Sequence, residues 1–345
     1  MESCVYLKPD PVLGQEEDGH PVYGCDIHSK CTDHGEHGLF MSCQNCPDKL
    51  LQSQSDFNAL FLDPLKVLDR TKKETHALRN LLAGQPTFLV CGGPSAKSLP
   101  LDQLNRRGLW SIAVNNMAGF FWPSAFICAD PPSKFHHGIW LDPQVMKFVP
   151  IPKLSGRRSN LREKVGDEFK PLQIDGKDIS VNECPNIWGF SRRSWLIPDD
   201  TFFTDHDAAW GNHNSGQKRT GLKKTVMTLL LAMRILYYLG SRRIFLVGVD
   251  FQMDPGAGLT ENYAFGEHRE ADAIQSNNTQ FGVVNEWLTT MVENGTFKKF
   301  GLEIFNTNPL SGLRAFHHVP FEEAIKSILR NFPVEPFSLD GWYKK

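Results

Sequence analysis

Thr87-Phe88-Leu89-Val90-Cys91-Gly92-Gly93-Pro94-Ser95 is a short apolar run that breaks abruptly into a turn of small residues. A run of this length ending in Gly-Gly reads as a buried parallel strand, and the turn gives a bound phosphate close access to backbone N–H groups. The spacing is not G-x-G-x-x-G, and no G-x-x-x-x-G-K-[ST] occurs, so neither a standard dinucleotide-binding dehydrogenase nor a P-loop enzyme is indicated. The stretch points to a nucleotide site of another kind; the plain alternative is a tight strand-to-loop turn with no ligand.

The pattern repeats outward from this strand. Residues 98–104 read as a short helix or turn, 109–114 as a second strand ending in Asn115-Asn116, and 125–129 as a third ending in Asp130-Pro131-Pro132. Further on, 222–239 is apolar nearly all round and predicts a buried helix, stopped by Gly240. The run 243–251 then predicts a central strand finishing at Asp250, followed by a helix over 281–292, a strand over 303–306 and a helix over 321–329. Alternation of this kind predicts an α/β, Rossmann-like, mostly parallel sheet with helices on both faces and ligands at the carboxyl ends of its strands.

Composition suits such a fold. With 345 residues, 41% of them apolar and 22% charged, the chain can bury a sizeable core, and its 24 Phe and 8 Trp argue against disorder. No apolar stretch approaches the ~20 residues of a membrane span, and the first residues lack a signal-peptide pattern, so the expectation is a cytoplasmic protein. The formal charge of -2 is no sign of non-specific nucleic-acid binding. Two basic clusters, one of Lys153, Arg157, Arg158, Arg162 and Lys164 and one of Lys218, Arg219, Lys223 and Lys224, read as solvated loop charge, or as local phosphate holders.

Five of the eight cysteines precede residue 47, and Cys25, Cys31, Cys43 and Cys46 are spaced x5, x11 and x2. Such crowding without a secretion signal favours a closed, structural Zn2+ site over disulfides. A reduced cysteine-rich loop and an iron–sulfur cluster are the alternatives, and Cys4, His28, His34 and His37 are competing ligands. The expected organisation is a cysteine-rich module at 1–50, a helical connector at 51–84 and a transferase domain at 85–345, with an irregular lid or insertion near 150–215.

The order Gly92-Gly93-Pro94-Ser95, Asn115-Asn116, Asp130-Pro131, Thr220-Gly221 before a long helix, Gly248-Val249-Asp250-Phe251 and Tyr263-Ala264-Phe265 resembles the Campylobacter-type sialyltransferases of glycosyltransferase family 42. It is equally similar to the archaeal-type 6-hydroxymethylpterin pyrophosphokinases and the bacterial and phage proteins grouped with them. The resemblance covers roughly residues 85 to 310, and it implies that Gly92, Gly93, Pro94 and Ser95 cradle a nucleotide phosphate or ribose. It also implies that Asn115 or Asn116 touches nucleotide and sugar, and that Thr220 and Gly221 present helix amides to the donor. Read from residue type alone, each Asn could equally cap a strand-end turn.

Asp250 could bind a ribose hydroxyl, orient an acceptor, hold a metal or cap the next turn. Tyr263 resembles a family tyrosine that assists the departing phosphate. The family's general-base histidine has no counterpart, because Ser276-Asn277-Asn278-Thr279 occupies the comparable stretch. His268 is the nearest substitute, ahead of His317-His318 and His206 or His213.

The leading expectation is a glycosyltransferase moving a sugar from a nucleotide-sugar donor to an acceptor hydroxyl without metal, the acceptor being a glycan, a small metabolite or a modified nucleic acid. The second is a pyrophosphokinase-like transferase using ATP and Mg2+, with Asp130 and Asp250 as metal ligands. The third is a non-catalytic nucleotide-binding interaction protein.

Overall fold

A computed structural model describes residues 78–135, 137–153, 160–165, 168–190, 192–193, 198–204, 208–209, 227–257, 261–264 and 271–329, with the backbone of four short N-terminal strands. Those four strands form two antiparallel pairs, Leu7–Pro9 with Tyr23–Cys25 and Val67–Asp69 with Glu74–His76.

The centre is one sheet of eight strands: β1 (Thr87–Val90), β2 (Ser111–Val114), β3 (Ala125–Ile127), β4 (Met146–Pro150), β5 (Ile187–Phe190), β6 (Arg243–Val247), β7 (Glu303–Asn306) and β8 (His317–His318). Their order is β5-β4-β3-β2-β1-β6-β7-β8, and every neighbouring pair is parallel. The helices are α1 (His137–Leu141), α2 (Thr201–Thr204), α3 (Thr228–Tyr238), α4 (Ala271–Glu293), α5 (Thr296–Lys299) and α6 (Phe321–Leu329). The chain is a Rossmann-like α/β fold.

Each strand divides its side chains between two cores, since successive residues point to opposite faces. Leu89, Ile112, Ile127, Phe148 and Leu246 join α3 and α4 on one face. Phe88, Val90, Ala113, Phe126 and Val247 join α6 and the short α1 on the other. Burial on both faces is why these strands read as continuous apolar runs. Each such Leu, Ile or Phe contributes roughly 1.5–3 kcal/mol. On the second face Phe88, Phe245 and Phe305 stack across three neighbouring strands, with centroids 5.4 and 5.5 Å apart, and hold β1, β6 and β7 in register.

From β1 the chain fills the sheet outward to β5, then returns with β6 on the other side of β1. The topological switch point therefore lies between β1 and β6, where parallel α/β sheets open a crevice at the carboxyl ends. Those ends are Cys91-Gly92-Gly93 and Gly248-Val249-Asp250.

Several elements differ from expectation. Met227 is extended, with φ -146° and ψ 116°, so α3 begins at Thr228 and not at 222. Thr220 and Gly221 lie outside the described residues. The helix expected over 281–292 starts ten residues earlier, at Ala271, and takes in the polar Ser276-Asn277-Asn278-Thr279. Among the described residues of 51–84 there is a strand pair and a turn but no helix; Asn80 and Gly84 adopt positive φ there and break the pattern. The stretch 150–215 is not wholly an insertion, because β5 lies within it and forms one edge of the sheet.

No helix among the described residues is long and apolar enough to cross a membrane.

Candidate functional site

Two strand-end turns cross at the switch point with almost no space between them. The N–H of Gly93 donates to the Gly248 carbonyl at 2.8 Å, and that of Cys91 to Val247 at 2.8 Å. Gly93 has φ -70°, which any residue can adopt, so its identity is dictated by space. A Cβ there would lie 2.0 Å from Asp250 Oδ2 and 2.5 Å from the Gly248 oxygen. Gly248 is constrained twice, by φ +64° and by a Cys91 oxygen 2.2 Å from where its Cβ would sit. Pro94 then opens a 3-10 turn over Pro94–Ser98, its fixed φ suiting the first position and its missing N–H costing nothing there.

Asp250 is the hub. Its carboxylate accepts from the Ser95 N–H at Oδ2, 3.0 Å, and from Asn308 Nδ2 at Oδ1. Its own carbonyl accepts from the Gly312 N–H at 2.6 Å, and Ser311 Oγ donates to Val249 at 2.6 Å. The side chain is 6% exposed and held from both sides. A carboxylate offers about four acceptor positions, so two filled ones leave room for donors from a ligand. The Ser95 amide, expected to cradle phosphate, is instead occupied by a carboxylate. A group entering beside Oδ2 meets negative charge and is favoured if it donates hydrogen bonds.

Among the described residues, two polar atoms just past the adjacent strands β1 and β2 are buried without a partner, Ser95 Oγ and Asn115 Oδ1. Asn115 has φ +53°, a region Asn tolerates better than most residues, and no side-chain cap closes the 3-10 turn that it opens. The turn-cap role is thus not what its amide oxygen does. Buried polar atoms are normally paired, and unpaired ones at a strand-end crevice mark where a ligand would complete the bonding. Ser95→Ala is expected to leave the unliganded protein within about 0.5 kcal/mol of wild type, because no bond is lost. The same change should weaken ligand binding about tenfold, the worth of one hydrogen bond to a polar ligand group. Urea unfolding and calorimetric titration of the one variant read the two effects separately.

Tyr263 is brought to the same place. The neighbouring Ala264 N–H donates to the Gly92 carbonyl at 2.9 Å, and Asn277 Nδ2 of α4 lies 3.5 Å from the Tyr263 hydroxyl. Asn278 clamps the backbone of Met253, accepting from its N–H and donating to its carbonyl, both at 2.8 Å. Asn116 follows Asn115 in the same turn. Asp130 stands apart, exposed and paired with Lys134 Nζ at 3.4 Å. From β6 to β3 there are three strand spacings, about 14 Å at ~4.8 Å each. Asp130 and Asp250, the two carboxylates expected to share a Mg2+, thus leave the sheet three strands apart.

His268, Thr220, Gly221, Cys31, Cys43 and Cys46 lie outside the described residues, and of Cys25 only the backbone strand is described. His317 and His318 are exposed on β8, two strands beyond β6.

The thiol beside the turn is not a nucleophile at neutral pH. Burial, then the Asp250 carboxylate, pushes Cys91 up to about 12, and burial pushes Cys128 well above the usual thiol range. A thiol whose pKa is raised by folding contributes stability that is full below its unfolded value of 9.0 and lost as pH rises toward 12. Unfolding free energy is therefore expected to fall by about 1 kcal/mol or more from this group between pH 9 and 10.5. Urea titrations should show a shallower fall for Cys91→Ala.

Sequence reasoning missed Asn308, Ser311, Asn277 and Asn278. The one local signal was Asn306-Thr307-Asn308 after β7, a polar strand end of the same kind as Asn115-Asn116. Comparison with protein-family models, curated proteins and solved structures finds no match for this chain.

Proposed function

We propose that the chain is a nucleotide-sugar-dependent glycosyltransferase. The observation that carries this reading is the pair of orphaned atoms, Ser95 Oγ and Asn115 Oδ1, at the carboxyl ends of adjacent strands, with the Asp250 carboxylate fixed on the Ser95 amide at the switch point of a parallel sheet.

In this reading the crevice binds the nucleoside part of the donor. Asp250 accepts from ligand hydroxyls, as a carboxylate held by two donors and still short of its acceptor capacity will do. Ser95 Oγ and Asn115 Oδ1 complete the polar contacts. The Tyr263 hydroxyl, beside the turn through the Ala264 to Gly92 bond, donates to charge building on the departing phosphate. His268 is proposed as the base that takes the acceptor proton. Rate enhancement then comes from holding donor and acceptor together and from fixed dipoles at the leaving group.

The Asp250 carboxylate inside the turn also favours a second reading, transfer from ATP, in which Asp250 would help hold a Mg2+ that would neutralise phosphate charge. The experiment that separates them measures nucleotide release from CMP-, UDP-, GDP- and dTDP-sugars, and from ATP, each with and without EDTA. Release from one sugar donor that survives EDTA supports the glycosyltransferase. Release from ATP alone, abolished by EDTA, replaces it with the pyrophosphokinase reading.

A further inference from the structure

Shortly after Asp250, two consecutive residues each have their backbone gripped by one asparagine side chain. Asn278 of α4 accepts from the Met253 N–H and donates to the Met253 carbonyl, both at 2.8 Å. Asn262 does the same to Asp254, at 2.7 and 3.0 Å. A carboxamide can close such a ring because it carries a donor and an acceptor side by side; a carboxylate offers only acceptors. Asn278 stands inside a helix, where Asn is a poor residue, and Asn262 is buried. Local preference yields there to a tertiary bond, as is expected at functional sites.

The same face of α4 makes further contacts with this segment. Phe281 stacks on Phe251 with ring centroids 4.9 Å apart, and Asn277 Nδ2 lies 3.5 Å from both the Tyr263 hydroxyl and the Met253 sulfur. Phe251 has φ +54°, a left-handed conformation that a bulky residue keeps only where its surroundings hold it. α4 therefore fixes the chain from Phe251 to Met253, and the second clamp passes that order on. Asn262 immediately precedes Tyr263, and Ala264, which follows it, donates its N–H to the Gly92 carbonyl at 2.9 Å. Both neighbours of Tyr263 are thus buried and tied, one to the segment that leaves Asp250 and one to the β1 turn.

We infer that Asn262 and Asn278 are positioning residues, two amide clamps in series that fix Tyr263 against the β1 turn. Their effect on turnover rests on the nucleotide-transfer reading; the clamps themselves do not.

The test measures hydrogen exchange and turnover in the full chain. In Asn262→Asp and in Asn278→Ala the Ala264 amide should exchange about tenfold faster, the worth of one hydrogen bond in a local opening. The Cys91 amide, bonded to Val247 within the sheet, should keep its wild-type rate. Asn262→Asp preserves side-chain volume and carries the test if Asn278→Ala fails to fold. With a donor from which wild type releases nucleotide, Asn262→Asp should lower kcat about tenfold or more. In a Tyr263→Phe background the same change should cost about twofold or less, because the hydroxyl it positions is already gone. An asparagine with a merely structural role would lower turnover equally in both backgrounds. Unchanged exchange at Ala264, or equal losses of kcat in the two backgrounds, would overturn the positioning role. Release of nucleotide from no donor by wild type would overturn the nucleotide-transfer reading instead, and exchange at Ala264 then decides the clamps alone.

Discussion

Gly93→Ala is expected to lose ligand binding altogether and to cost about 3 kcal/mol of stability, the upper range for forcing a methyl group into filled space. The added Cβ would lie 2.0 Å from Asp250 Oδ2, the tip of a short side chain held by hydrogen bonds, and 2.5 Å from the backbone oxygen of Gly248. Asp250 is anchored through Asn308 and through its own carbonyl to Gly312, so it cannot swing aside without breaking several bonds. Gly92→Ala is the neighbouring control, one residue before the position whose Cβ would meet Asp250. Urea midpoints of the two variants should separate, with the loss concentrated in Gly93→Ala.

Asp250→Asn is expected to be nearly as severe, at about 2–4 kcal/mol, although it preserves shape. Both carboxylate oxygens accept, one from the Ser95 N–H and one from Asn308 Nδ2. An amide has only one oxygen, so in either orientation its NH2 faces a donor. Ligand affinity should fall by at least tenfold because the acceptor capacity facing the crevice is also lost. A separate readout belongs to Cys91, whose thiol is raised partly by this carboxylate. In Asp250→Asn the Cys91 thiol should titrate at lower pH, although burial still keeps it above an exposed thiol. A structural defect elsewhere in the domain would not move that titration selectively.

The legible parts of the fold were the strands buried on both faces, because nothing polar interrupts them. Phe88-Leu89-Val90 and Ile244-Phe245-Leu246-Val247 are such runs, and their small or carboxylate endings mark the crevice directly. β4 was hidden by Lys147, which is fully buried yet polar, its Nζ donating to the Asp142 carbonyl at 2.5 Å. Burial pulls that amine down to about 8, a tertiary effect with no local sequence sign. β5 was hidden by Gly189 within it, and β8 by having two residues. For the site, Gly93, Ser95, Asn115 and Asp250 could be picked out one at a time as strand ends. What could not be read was that Asp250 fills the Ser95 amide, since the two are 155 residues apart and meet only through the pairing of β1 with β6. That contact occupies the Ser95 amide, in the turn expected to cradle a nucleotide phosphate or ribose. Asn308 was invisible for the same reason, its role arising only once β7 lies beside β6.

The central claim is that a nucleotide binds between β1 and β6 and completes the bonding of Ser95 and Asn115. The most direct measurement is a thermal-shift panel of CMP-, UDP-, GDP- and dTDP-sugars and ATP with Mg2+, run on wild type and on Ser95→Ala. A ligand present at 100 times its Kd stabilises the folded state by about 2.7 kcal/mol. The account predicts that at least one of these compounds raises the wild-type midpoint, and that Ser95→Ala keeps its unliganded midpoint while losing much of that rise. No shift with any of them, or an equal shift in the variant, would contradict it.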